Sequence, residues 1–378
     1  MKTRIAISLW IAASVGCAAK LDTPAVTTLR VPGGGIQPQI VERDGIVHML
    51  YFSGDAAQGI LFYVKSSDYG QSFSKPIQVN TPASAAIAVG NIRGAQLAIG
   101  SKGRVHVAWN GTAPTTALPM YYTRLNDAGN AFEPARNVIH AAYGLDGGGS
   151  LAADANGNVY VFWHAPAPGQ KGEQNRRVWV AKSSDGGKDF EPERLAFDKP
   201  VGACGCCGLK AYADAAGNVY VLFRSADQIV NRDIWLLSST DQGRTFTGAN
   251  VSHWNIGACV MSSEAFASAP NGILAAWETE KQTWFGVIQP GTSKISAPLA
   301  APGVPANRKY PTLAANSRGD ALFAWTETMA WKKGGRVAWQ VYDKDGHPET
   351  VSGKADGVPA WSVIASFAKP DGSFVVVY

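Results

Sequence analysis

Seven times along the chain a glycine opens a short, almost unbroken apolar run that ends in an aromatic residue. The segments are Gly45–Tyr51, Gly103–Trp109, Gly157–Trp163, Gly217–Phe223, Gly272–Trp277, Gly319–Trp325 and Gly372–Tyr378, and their glycines stand 47 to 60 residues apart. Apolar runs this short, bounded by turn residues, predict strands packed on both faces. A second short segment precedes each of them, for example 37–42, 95–99 and 312–315. The residues joining the pairs read Arg-Asp-Gly, Ala-Asn-Gly or Ala-Ala-Gly, which are tight-turn sequences. A multi-strand unit recurring about every 50 residues predicts a propeller or an array.

A further signature follows the paired strands in four units: Ser66–Phe73, Leu125–Phe132, Ser183–Phe190 and Ser239–Phe246, with Asp68, Asp127, Asp185 and Asp241 at the third position. These segments resemble the Asp box, Ser-x-Asp-x-Gly-x-Thr-Trp, of the sialidase-like (BNR repeat) propellers; the second is degraded. The resemblance covers most of residues 37–378. It implies an all-β propeller of four-stranded blades in which the boxes close outer hairpins far from the axis. Their four aspartates are therefore read as structural, accepting bonds from turn N–H groups. Seven hairpin units favour seven blades. Six blades plus an extra hairpin is the alternative, because the resembled sialidases have six. The last unit contains only two strands, and residues 25–31 are expected to return and complete it, removing free edges.

Composition agrees with a globular chain rich in turns: 46% of residues are apolar, 17% charged, and there are 41 Gly and 21 Pro. The formal net charge is only +5, of which Lys2 and Arg4 contribute two. That argues against a dedicated nucleic-acid binder, and a monomer is expected. Lys2 and Arg4, the apolar stretch 5–15 and the small residues after it read as an export signal over 1–16. Ser14-Val15-Gly16-Cys17 resembles a bacterial lipobox, with Ser14 where Leu or Val is usual. The resemblance implies lipidation of Cys17, an outer-membrane destination facing the periplasm or cell surface, and one propeller domain over 22–378. Cleavage after Ala19 would instead leave a soluble periplasmic or secreted protein.

The family resemblance also implies candidate chemistry. Sialidases hold a carboxylate with an arginine triad and use a Tyr nucleophile activated by Glu, with an Asp acid/base. Arg30-Val31-Pro32 resembles the segment bearing the first arginine, and Asp55 is placed like the acid/base. Glu264 is placed like the activating Glu, and Arg308 and Tyr310 precede and open an inner strand as the remaining members do. Glu278 stands where another Arg would be expected, and would repel a carboxylate. Binding of a glycan or glycoconjugate at the axial mouth, with His253 and Trp254 in a loop feeding it, is therefore the leading expectation. An exo-glycosidase of sialidase type is the alternative.

Cysteines supply a third reading. Cys204 and Cys259 each lie 13 residues before a hairpin glycine, and Cys206 and Met261 each lie 11 before. Neighbouring blades should thus present sulfur at one height. In an oxidising compartment the four mature cysteines, Cys204, Cys206, Cys207 and Cys259, suit disulfides, with Cys204–Cys259 the natural bridge. The same cysteines with Met261 and His253 would also suit Cu(I) or another soft metal, or redox chemistry.

Overall fold

The computed structural model describes residues 24–113, 117–305 and 307–378. They form a seven-bladed β-propeller. Six blades are four-stranded antiparallel sheets and the seventh has three strands; the only helix among the described residues is four short 3-10 turns. The innermost strands are Ile36–Arg43, Gln96–Ile99, Ser150–Ala153, Leu209–Ala213, Ala265–Ala269, Lys309–Ala315 and Ala365–Ala368. Each touches the next around the axis, and the first touches the seventh.

The glycine-led runs are the second strands. They are buried on both faces because neighbouring blades sandwich them: Val105–Asn110 and Val219–Arg224 are enclosed along their whole length. Trp109, Trp163, Trp277, Phe223 and Phe323 are among the largest fully buried side chains. The hairpin glycines take positive φ, as at Gly45 (78°) and Gly217 (83°), which only glycine adopts without strain.

Val26–Leu29 closes the ring. It pairs in parallel with Phe374–Val377 in the register Val26 with Phe374 and Leu29 with Val377. Phe374 N–H donates to Ala25 O (2.8 Å) and Tyr378 N–H to Leu29 O (3.0 Å). The seventh sheet thus combines both ends of the described chain.

Three of the four repeated aspartates close their turns. Asp68 accepts from the Ser66 hydroxyl (2.7 Å), the Ser72 N–H (2.9 Å) and the Ser72 hydroxyl (2.5 Å). These bonds hold its carboxyl down to about 2. Asp185 accepts from Ser183 (2.7 Å) and the Lys188 and Asp189 N–H groups (2.8 and 3.1 Å). Asp241 is bound likewise by Ser239 and Thr245. Asp127 instead pairs with Arg104, and the Asn126 side chain accepts the turn N–H of Asn130 in its place (3.2 Å).

The phenylalanines ending three of the four segments reach the preceding blade. Phe132 packs on Tyr63, Phe190 on Tyr122 and Phe246 on Phe162, at ring-centroid distances of 5.8, 4.7 and 5.8 Å. The turns therefore wedge blades together as well as ending hairpins. Asp185→Ala should lower stability by about 1–3 kcal/mol, the cost of turn donors losing their acceptor. Urea unfolding checks this; an unchanged midpoint would show that the turn holds without its carboxylate.

Candidate functional site

All innermost strands begin at one face of the ring, and the second strands end there: Ile36 pairs with Phe52, and Lys309 with Thr326. At this mouth face the backbone departs from extended geometry. Gln37, Asn91, Met261, Tyr310 and Trp361 all have φ between 49° and 65°. Such conformations cost on the order of 1–3 kcal/mol each and persist only where the surroundings fix them. The fixing groups are visible. Gln37 Nε2 donates to Ala88 O (2.9 Å), Asn91 O (3.3 Å) and Trp361 O (2.7 Å). Asn91 Nδ2 donates to Ser362 O (2.5 Å), and Gln37 N–H to Ser362 Oγ (3.0 Å). Blades 1, 2 and 7 are thereby tied together across the mouth.

Ile92 is buried in one cluster with Tyr310, Val363 and Ile364. The axial cavity that it helps to line, with Gln39, Gln96, Lys210, Glu264 and Tyr310, has a volume of about 130 Å³. Small-molecule sites occupy about 300–1,000 Å³, so the axis itself is too small for a sugar residue with its contacts.

The interior beside this cavity is charged. Lys210 Nζ donates to Gln96 Oε1 (2.8 Å) and Gln39 Oε1 (3.1 Å). Burial lowers its ammonium to about 8, and Glu264 opposes the shift. Glu264 is 5% exposed, and neither carboxyl oxygen has a hydrogen-bond partner. Burial pushes this group well above the usual carboxylate range; Cys207 and Glu278 add to the effect and Arg224 opposes it. Arg224 Nη2 lies 3.7 Å from Glu278 Oε2, with both side chains enclosed. The same guanidinium donates to Arg232 O (2.8 Å) and Glu278 O, and sits 5.2 Å from the Trp254 ring. Burial raises Glu278 too, again against Arg224. The Tyr310 hydroxyl is raised by burial, with Cys207 and Glu278 adding to it.

The sulfur groups converge at the start of blades 4 and 5. The disulfide links Cys206 to Cys259, with Cα atoms 6.3 Å apart, and not Cys204 to Cys259 as the glycine alignment predicted. Cysteines of blades 4 and 5 do meet, but the bonded pair lies 11 and 13 residues before its hairpin glycines and is not the equally spaced one. The tight turn at Cys204–Cys207, closed by Cys207 N–H to Cys204 O (3.2 Å), decides which sulfur faces outward. Cys204 and Cys207 remain free and buried. Their sulfurs are 3.2 Å apart, and that of Cys204 is 3.5 Å from Cys206 Sγ. Cys204, Cys206 and Cys207 are the described group whose donor atoms lie close enough to share one metal ion.

The other predicted residues scatter. Arg30 is exposed at the margin, donating to Asp356 O (2.9 Å) and Gly357 O over the Tyr378 ring. Asp55 is exposed on the blade 1 rim and accepts from its own turn at Ala57 N–H (2.8 Å). Arg308 is buried between blades 5 and 6, where it donates to Glu327, Gln282, Ala301 O and Pro302 O at 2.7–3.3 Å and leaves no guanidinium nitrogen for a ligand. Glu264 and Tyr310 do meet, both lining the axial cavity. His253 projects into solvent beside Asp233 (3.3 Å). Trp254 lies inward with Cys204, Cys207 and Val260, and Met261 is half-buried. Cys17 and the leader lie outside the described residues.

The sequence reading missed Gln37, Ile92, Lys210 and Arg224, which carry no motif and gain meaning only from the ring around them. It also missed a surface pair. Trp331, 57% exposed, stands edge-on to Trp361 with ring centroids 4.6 Å apart. Trp331 follows the second strand of blade 6 and Trp361 precedes the innermost strand of blade 7, which places both on the mouth face.

No known protein family matches the chain, and no curated protein is similar to it. Solved structures are. An α-L-arabinanase of Penicillium chrysogenum complexed with arabinobiose superposes with a TM-score of 0.54 at 13% identity, over 82% of this chain and 94% of that one. An α-L-arabinofuranosidase of Fusarium graminearum in complex with an iminosugar inhibitor gives 0.54 at 12%, over 82% and 93%. The NanB sialidase of Streptococcus pneumoniae gives 0.48 at 12%, over 90% and 64%. At such identities the likeness is one of fold: a propeller architecture shared with glycoside hydrolases.

Proposed function

We propose that the protein is an exported propeller that binds a glycan or glycoconjugate on its mouth face. The carrying observation is the Trp331–Trp361 pair on that face. Exposed aromatic surface of this kind marks binding sites, and an indole offers a flat apolar face to the C–H face of a sugar ring. The axial cavity lined by Gln37, Asn91 and Ile92 is too small for a saccharide, which directs one to this rim. The names of its fold neighbours, arabinanase and arabinofuranosidase, favour a saccharide over other ligands. In this reading the leader exports the chain and Cys17 anchors it in the membrane by lipid, as a monomer.

Binding without hydrolysis fits the scatter of the sialidase-type set. Arg30 and Arg308 are engaged elsewhere, and Glu278 stands beside Glu264. Calorimetric titration with sialylated, arabinan-derived and neutral oligosaccharides tests the proposal. Binding that weakens at least about tenfold in Trp331→Ala, the scale of an interface aromatic anchor, is the expected result. Binding unchanged by that substitution overturns the proposed rim, and absence of binding overturns the function. Turnover of a fluorogenic glycoside that disappears in Tyr310→Phe would make the protein a hydrolase.

A further inference from the structure

The four described cysteines lie in two layers. Outside, the exposed Cys259 is bonded to the half-buried Cys206. Beneath, Cys204 and Cys207 are free, 1% and 0% exposed, and share a hydrogen bond between sulfurs 3.2 Å apart. The sulfur of Cys204 touches that of Cys206 at 3.5 Å. A free thiol therefore rests against one sulfur of a disulfide whose other sulfur faces water.

Thiol–disulfide exchange needs a thiolate in contact with a disulfide sulfur, and a leaving thiol able to carry charge and then a proton. The surroundings supply both. The sulfur contact with Cys207 favours the Cys204 thiolate, burial and Glu173 oppose it, and Arg232 and Arg224 favour it. Burial, and then the neighbouring Cys204 sulfur, raise the Cys207 thiol, so Cys207 keeps its proton while Cys204 is free and becomes easier to deprotonate once Cys204 is drawn into a disulfide; Arg224 favours that loss. Gly205 N–H donates to Glu173 Oε1 (2.7 Å), and Arg232 pairs with Glu173 Oε2 (2.7 Å), so the turn and its arginine are fixed together. Cys259, at the surface, leaves into water.

We propose that these residues form an exchange centre, in which Cys204 attacks Cys206 and releases Cys259, and Cys207 then resolves the new bond. In the first step the Cys206–Cys259 bond breaks, Cys204–Cys206 forms, the Cys204 proton is lost and Cys259 takes one up. In the second, Cys207 gives up its proton and attacks Cys204, the Cys204–Cys206 bond breaks, Cys204–Cys207 forms, and the leaving Cys206 takes up the proton. Two thiols and one disulfide exist before and after, so no outside oxidant is consumed. The outer pairing joins the start of blade 4 to the start of blade 5; the inner pairing releases them. The freed Cys259 is then a surface thiol for a small thiol or disulfide, or for a cysteine of another exported protein.

The test uses the whole mature protein, equilibrated with a trace of glutathione, acid-quenched, alkylated and mapped by peptide mass spectrometry. The wild type should yield both the Cys206–Cys259 and Cys204–Cys207 pairings. Cys207→Ser should accumulate Cys204–Cys206 with Cys259 alkylated or carrying glutathione. Cys204→Ser should retain only Cys206–Cys259. Because Cys204→Ser and Cys207→Ser both keep the outer disulfide available to a folded chain, circular dichroism confirms that each is folded before mapping. Finding Cys206–Cys259 alone in both the wild type and folded Cys207→Ser overturns the proposal. So does stoichiometric Cu(I) uptake by the unreduced protein that shields Cys204 and Cys207 from alkylation, which would assign the dithiol to a metal.

Discussion

Arg224→Met is expected to destabilise the protein by about 3–5 kcal/mol near pH 8, the cost of leaving a buried charge without its partner, and by much less near pH 4. Arg224 is the cation that opposes the burial of both Glu264 and Glu278, and its carboxylate contact lies in a region closed to water. Without it the two carboxyls take up protons still more readily in the folded state than in the unfolded one. A group whose folded pKa is raised costs stability as pH climbs above its unfolded value near 4.5, because the folded state must hold a proton that the unfolded state has released. Near pH 4 both states hold the proton and this cost vanishes. What remains is the loss of the bonds to Arg232 O and Glu278 O and of the Trp254 contact. Denaturant unfolding across this range reads the slope. Adding Glu278→Gln to the variant should recover part of the loss at pH 8 and little at pH 4. A loss equal at both pH values would mean that Arg224 acts by packing alone.

Deleting residues 26–29 should abolish cooperative folding or lower stability by several kcal/mol. The strand contributes about four to six backbone hydrogen bonds, each worth roughly 1 kcal/mol net. Its removal also uncovers Phe374–Val377, whose four residues are all buried. The larger consequence is topological. An unpaired strand in a ring is an edge ready to pair with another chain, so aggregation should accompany the loss. Size-exclusion chromatography and thermal unfolding provide the check. A monomeric variant melting with the wild type would show that seven blades hold together without this closure.

Much of the fold was legible because its causes are local and repeated. A glycine turn followed by a two-face apolar strand is written into the chain seven times, and the blade count, the hairpins and the returning strand at 26–29 follow from it. Asp68, Asp185 and Asp241 were readable for the same reason, since each turn bonds within eight residues. Asp127 is the exception, and its own segment showed the cause: Leu125 and Ala131 stand where the other segments carry Ser66 and Ser72 or Ser239 and Thr245, so the hydroxyl partners are missing.

The candidate site was only partly legible. Spacing from the hairpin brought the cysteines to the entries of neighbouring blades, but the choice of Cys206 over Cys204 as partner of Cys259 depends on how one four-residue turn is folded. Sequence position brought Glu264 and Tyr310 to the same cavity, yet it could not tell that Arg308 is spent between blades or that Arg30 lies at the margin. The sequence by itself determined the repeating unit, because strand, turn and alternation of burial are set by neighbours along the chain. Only the tertiary structure decided the narrow axial cavity, the buried Arg224–Glu278 pair, the two-layered sulfurs and the Trp331–Trp361 face. Each of these joins residues from different blades, and ring closure alone brings those blades into contact.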